Sequence, residues 1–384
     1  MPPAVRNAHG PATPCLERPD ETPENRMPGL LYREDMDDVR ERLTTWWNGG
    51  DIGRPAMQVT ARRAEPLEDI PALPQPPGWV THYSTSDYDY RVNLAARSCL
   101  HTEYLAEATP HVAPGLAPNC LALYLGCEGV EMPGTVWCKP CMDSPESASF
   151  DYHEDNRYWR FTQRLGRECL RLGEGKFLLE FPDLIEGLDT LAAMRGTERL
   201  LADLVDRPDW VHASLRQITD RYFRYYDVLY DLFRDPVGGS IFWAWAPGRM
   251  TKLQCDFCAM ISPEMFAEFM VPVLREMTDR VGYSMYHWDG PGALEHHDSL
   301  LSVSSLTMLQ WTPGAGAEPT DHPCWWPYYH KTIEAGKRML IGCSSVENLR
   351  GLKREFGAKF GSFLINMHAP SRADAEEFIR VAEG

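Results

Sequence analysis

Short apolar runs and longer stretches of helical periodicity alternate along most of the chain. The runs that read as buried strands cover residues 55–60, 120–125, 176–181, 240–245, 283–287, 306–310, 339–342 and 362–367. Between most of them lie segments with apolar residues on one helical face. The clearest is Pro208–Phe233, where Trp210, Leu215, Ile218, Tyr222, Tyr225, Leu229 and Phe233 share a side. Met36, Val39, Leu43 and Trp46-Trp47 predict a helix within 34–47, closed by Gly49-Gly50. Ser262-Pro263-Glu264-Met265 has the form of an N-cap followed by proline at the first helical position. Ser371-Arg372-Ala373-Asp374 resembles a capping box with Asp in place of the usual Glu. Eight strand candidates separated by helices predict a parallel sheet. An open doubly wound sheet and a closed barrel share this alternation. No G-x-G-x-x-G or Walker loop follows any of the runs, which lowers a nucleotide-binding reading.

Residues 1–30 are rich in Pro, Glu and Asn and carry no apolar period, so a disordered or loosely packed leader is expected ahead of one domain over 31–384. The formal net charge of −17 argues against a nucleic-acid surface and against an anionic membrane face, both of which need clustered Lys and Arg. No run of about 18 apolar residues is present to span a membrane. Met1-Pro2-Pro3-Ala4-Val5-Arg6 leads into no apolar signal region, and eleven cysteines are too sparse for a disulfide scaffold. A cytoplasmic protein acting on a small molecule is the expectation.

In parallel α/β folds functional groups collect past the C-terminal ends of strands. Those positions offer Asp183, Glu186 and Asp189, then Trp243 and Trp245, then Asp256. His287-Trp288-Asp289-Gly290, Gln310-Trp311 and Asn366-Met367-His368 follow. His287-x-Asp289 is the sharpest feature, because residues two apart on a strand share a face. The pair suits a metal site, with His368 as third ligand, or a base with its orienting carboxylate. A histidine bonded within a glycine turn is the plainer alternative. Cys138-x-x-Cys141 and Cys255-x-x-Cys258 have zinc-knuckle spacing but read more simply as buried structural thiols. Asp189 reads as the cap of the helix that holds Leu191 and Met194.

Several stretches together carry a family resemblance. They are Phe181-Pro182-Asp183-Leu184-x-x-Gly187-x-Asp189, Ala193-Met194-Arg195-Gly196 and Asp256-Phe257-Cys258-x-x-Ile261-Ser262-Pro263-Glu264-Met265-Phe266. Tyr286-His287-Trp288-Asp289-Gly290-Pro291-Gly292 and Gln310-Trp311-x-Pro313-Gly314-x-Gly316 complete the series. From about Leu43 to the C-terminus the chain resembles the uroporphyrinogen decarboxylase superfamily, most closely its corrinoid-methyltransferase-like branch. The resemblance implies an α/β fold, a single (β/α)8 TIM barrel with its site in a cleft at the strand C-termini. Decarboxylases of the family use a strand signature with an Arg-Gln-Ala-Gly-Arg core. The matching strand here is Met57-Gln58-Val59-Thr60-Ala61-Arg62-Arg63, which lacks it.

The methyltransferases hold zinc on a His-x-Cys pair and a late Cys. Here those positions fall on His287, on Asp289 and near His368, a set that suits zinc and equally iron or manganese. The resemblance therefore implies a divalent metal, zinc first, on His287, Asp289 and His368. It also implies a methyl donor of corrinoid type carried by a separate protein, because no Asp-x-His-x-x-Gly corrinoid motif is present. Asp183 and Asp256 are expected to orient substrate or metal ligands. Trp243, Trp245 and Trp288 are expected to wall the cavity, with Gln310 contacting substrate, and a homodimer is compatible with the family. The leading expectation is a metal-assisted methyltransferase. The alternatives are a lyase that decarboxylates a tetrapyrrole or smaller carboxylate, with Arg62 and Arg63 as anion clamp and His287 as proton donor, and a barrel that binds a corrinoid or tetrapyrrole without turnover.

Overall fold

Seven of the eight apolar runs contain strand, and they do so in a computed structural model that describes residues 29–384. The expected leader falls outside the described residues except for its last two, and of these Leu30 is buried in a bridge to Arg33. The first strands are β1 (Ala56–Arg62), β2 (Thr102–Ala106) and β3 (His111–Val112), followed by a hairpin of β4 (Glu128–Met132) and β5 (Thr135–Lys139). Next come β6 (Leu178–Leu179), β7 (Ser240–Phe242), β8 (Ala244–Ala246) and β9 (Met250–Gln254). The last are β10 (Tyr283–Asp289), β11 (Met308–Thr312), β12 (Arg338–Gly342) and β13 (Phe363–Ala369). Among the described residues twelve α-helices lie between and around them, so the fold is mixed α/β.

The central sheet has seven strands in the order β2-β1-β13-β12-β11-β10-β9. It is parallel except where β2 runs against β1. Parallel neighbours need long crossovers, and helices supply them. The helix Pro208–Phe233 buries Val211, Leu215, Ile218, Tyr222, Tyr226 and Leu229 along one side. Ser262 caps the helix Pro263–Asp279 by accepting from Met265 N, and Ser371 does the same for Arg372–Glu383 from Asp374 N.

The run 120–125 is a correction. It forms the helix Cys120–Tyr124, all five residues buried, with the Asn119 side chain accepting from Ala122 N at its start. A short run that is apolar on every side has neither a period of two nor one of 3.6 to read, and the cap decides it. The strand expected there lies earlier, at β3. A second departure is the run 240–245, which doubles back at Trp243 into the antiparallel pair β7–β8.

Candidate functional site

The site grows from one register line across three parallel strands. His287 on β10 sits opposite Gln254 on β9 and Gln310 on β11, so the three side chains share a face of the sheet. Lys252, two residues before Gln254, shares that face. Gln310 decides the state of His287. Its Nε2 donates to Trp311 O at 3.0 Å and to Thr312 Oγ1 at 2.8 Å, which turns Oε1 toward the imidazole. Oε1 can only accept, so His287 Nδ1 carries the proton and donates to it. Nε2 is left with its lone pair, 3.7 Å from Asp289 Oδ2. Burial and then the charge of Lys252 push the His287 pKa below the ordinary imidazole value, against the pull of Gln310 and Asp289. The ring is therefore neutral at pH 7.

Lys252 is almost wholly buried, and its ammonium pairs with Asp183 at 2.7 Å and bonds Gln254 Oε1. Its charge also lies 5.7 Å from the centre of the Trp243 ring. Asp189 does not cap its own helix; from the first turn of Gly187–Arg195 it accepts from Asp256 N at 2.8 Å and Phe257 N at 2.9 Å, pinning the segment after β9. Asp256 accepts from Gln254 Nε2 at 3.1 Å. Burial and the nearby Asp189 raise its pKa to about 7. Glu186 is fully buried: one oxygen accepts from Gln254 N at 3.0 Å, the other has no partner, and burial raises its pKa well above the usual carboxylate range.

Trp243 stands beside this cluster. Its backbone has φ of +56°, a region that bulky residues rarely occupy. Buried Glu180 holds its N–H at 2.7 Å and Gln58 Nε2 donates to its carbonyl at 2.8 Å. On the Gln58 side opens a cavity of about 630 Å³ bordered by Thr60, His111, Asp321, Asn366 and His368 among others. That volume is in the range of small-ligand sites. His111 reaches back to Glu180, 3.5 Å away.

Of the residues picked out from sequence, His287, Asp289, Asp183, Asp256, Trp243 and Gln310 come together in the cluster around Lys252 and Gln254, and none of them borders the cavity, so Trp243 does not wall it as expected. Trp288 does not wall the cavity. As the next residue along β10 it points to the opposite face, where its ring stacks on His297 and its Nε1 donates to Ala293 O at 2.7 Å. Trp245 is core as well, bonding Asp235 Oδ2 at 2.9 Å and accepting from Trp47 Nε1. Arg62 is exposed at the end of β1 and Arg63 donates to Thr102 O, so neither borders the cavity.

His368 borders the cavity, bonded to Thr60 Oγ1 at 3.0 Å, three strands from His287 in the sheet order. Among the described residues no group of three His, Cys, Asp or Glu is placed to hold a metal ion, so the set His287, Asp289, His368 is not assembled. The two Cys-x-x-Cys pairs do not form one four-thiolate site either. Cys141 approaches Cys127, with sulfurs 3.5 Å apart, whereas Cys258 lies by His296, and hydrogen bonding from Cys255 lowers its pKa to about 6.

Sequence reading missed Lys252, Gln254, Glu180 and Asp321, whereas Asn366 stood among the strand-end candidates. Only the spacing Lys252-x-Gln254 ahead of the Cys255 segment signals the first two. No family model matches the chain, and no curated protein matches it.

Proposed function

We propose that the chain is an enzyme that activates a small acceptor X–H, with X nitrogen, sulfur or oxygen, by taking its proton on His287 Nε2 ahead of methyl transfer. The observation that carries this reading is the tautomer set by Gln310. A neutral imidazole with a free Nε2 lone pair, on a side chain that keeps some exposure, is a base at rest. As the proton arrives, Asp289 meets the imidazolium charge, and the Lys252–Asp183 pair holds the floor of the site in place. The freed pair on X then attacks the methyl carbon as the bond from that carbon to the donor breaks, its electron pair leaving with the donor. A corrinoid-type donor on a separate protein supplies an electrophilic methyl group; that part rests on the family resemblance.

The residues present do not fit the three-ligand metal set that the resemblance implies, and the reading uses no metal. The lyase alternative is less well supported. It asks His287 to donate a proton at rest, and its lowered pKa makes it a poor donor. The cavity also has no Lys or Arg on its border to receive a polycarboxylate.

We infer in addition that the sheet curls into a (β/α)8 barrel. Outside the seven strands, backbone bonds from Glu180 N to Val112 O and from Phe181 N to Ile241 O join β3, β6 and β7 in turn. Met250 N reaches Ser240 Oγ at 3.1 Å, linking β9 toward β7.

The test is methylcobalamin with a panel of thiols, amines and phenols, following loss of the methylcobalamin absorbance and formation of methylated product. At least one acceptor is expected to react, with a fall of about a hundredfold for His287→Ala. No methylation of any acceptor, or His287-dependent release of carbon dioxide from a porphyrinogen, overturns the reading.

A further inference from the structure

Asp321 is a buried carboxylate with no cation beside it among the described residues. It is 3% exposed, and its Oδ2 accepts from Ser344 N at 2.6 Å, Ser344 Oγ at 2.7 Å and Asn348 Nδ2 at 2.9 Å. Its other oxygen, Oδ1, has no partner. Burial works to raise its pKa, but these donors outweigh it and keep the carboxyl below its usual range, so the group is ionised at neutral pH. Among the described residues no ion pair reaches it. A buried charge left without a counter-charge is unfavourable, because its hydration is lost without a compensating ion pair.

Asp321 borders the cavity of about 630 Å³ at the C-terminal ends of β12 and β13. Asn366, on β13, borders it too and has a buried Oδ1 without a partner. Thr60, Thr320 and Ser344 add hydroxyls, Tyr104 and Met367 add apolar surface, and neither Lys nor Arg is present on the border. The border carries one carboxylate, several hydroxyls and a free amide oxygen beside His111 and His368, with neither Lys nor Arg, so it disfavours anions and suits N–H donors with positive charge.

We propose that this cavity binds its ligand by an ammonium group, with Asp321 as counter-ion and Asn366 accepting an N–H. A metal ion suits the place less well, because three donors already occupy one oxygen of Asp321 and no second carboxylate joins it. The inference deepens the proposed function and rests on it for its catalytic meaning. An ammonium has no lone pair with which to attack a methyl group, so it serves as the handle, and the reacting X–H is a second group on the same small molecule. The acceptor class is thus a bifunctional amine, such as an aminothiol or an aminophenol.

Binding alone tests the handle, apart from any methyl transfer. Butylammonium, butanol and butyrate, matched in length, are titrated against the full chain by ligand-observed NMR. Butylammonium is expected to bind at least tenfold more tightly than either analogue, Asp321→Asn to erase that preference, and His287→Ala to leave it unchanged. Should methyl transfer fail while this preference stands, the handle survives and the catalytic reading falls. Equal binding of the three probes overturns the proposal. So does a preference that persists in an Asp321→Asn protein with a normal melting curve, or Asp321-dependent saturation by Mg²⁺ or K⁺ without ammonium preference. If Asp321→Asn does not fold, Asn366→Asp adds a carboxylate to the same cavity and must strengthen the ammonium preference; no change there also overturns it.

Discussion

The indole of Trp243 meets the imidazole of His287 edge to face, with ring centres 5.2 Å apart and planes at 82°. The contact is held from the Trp243 backbone, which Glu180 and Gln58 grip on either side in a left-handed conformation. A side chain at positive φ costs about 1–2 kcal/mol, a cost glycine escapes. Trp243→Gly is therefore expected to be more stable than Trp243→Ala by about 1 kcal/mol in denaturant unfolding. Both variants lose the wall against His287 and are expected to fall at least about tenfold in methyl transfer, in line with the loss of positioning. Alanine matching glycine in stability would contradict the strain.

The pH dependence follows from His287. Its folded pKa lies below the ordinary imidazole value, so the base form persists as pH falls through about 6.5 and is lost only below that. The acid limb of kcat/KM is expected below pH 6.5. After burial, the charge of Lys252 is the next cause of the lowering. Lys252→Met should move the limb upward, and a limb that stays in place would remove Lys252 from the account.

Gln310 sets the tautomer by accepting at Nδ1. Gln310→Leu removes the acceptor and is expected to cost about a hundredfold in kcat, the scale of a lost acid–base contribution. Gln310→Glu keeps an acceptor and adds negative charge, so activity should largely return at high pH with the acid limb shifted upward. Equal losses in both variants would mean that the amide serves packing alone.

Glu186 gives a stability test with a definite sign. Its folded pKa is raised above the unfolded value of about 4.3, so its contribution is fully present below that pH. The contribution is lost as pH rises through the folded pKa. Glu186→Gln keeps an oxygen for Gln254 N and removes the charge. It should stabilise the protein at pH 8 relative to the parent and make little difference near pH 4, as read by urea unfolding at the two values.

How far the sequence reaches is visible in particular residues. The helix Pro208–Phe233 and seven strand runs were readable because their apolar periods are long or bounded by turn residues. The helix at Cys120–Tyr124 was not, because all its positions are buried. His287, Asp289 and Gln310 stood out by their place at strand ends. Lys252 did not, since a lysine in a strand is ordinarily a solvated residue; its burial makes sense only with Asp183, which lies 69 residues earlier. Alternation along a strand turns Trp288, the neighbour of His287, to the other face of the sheet. Trp245 was not so easily read, since the chain reverses at Trp243. Asp321 carries no local pattern at all, and its partners Ser344 and Asn348 come from beyond the next strand.

The central claim is that His287 rests neutral with its proton on Nδ1 and its lone pair on Nε2. ¹⁵N-resolved NMR of the imidazole at pH 7, assigned through His287→Gln, reads this directly. A protonated Nδ1 and an unprotonated Nε2 are expected, with conversion to imidazolium only below pH 6.5. An imidazolium at pH 7, or a proton resting on Nε2, would contradict it.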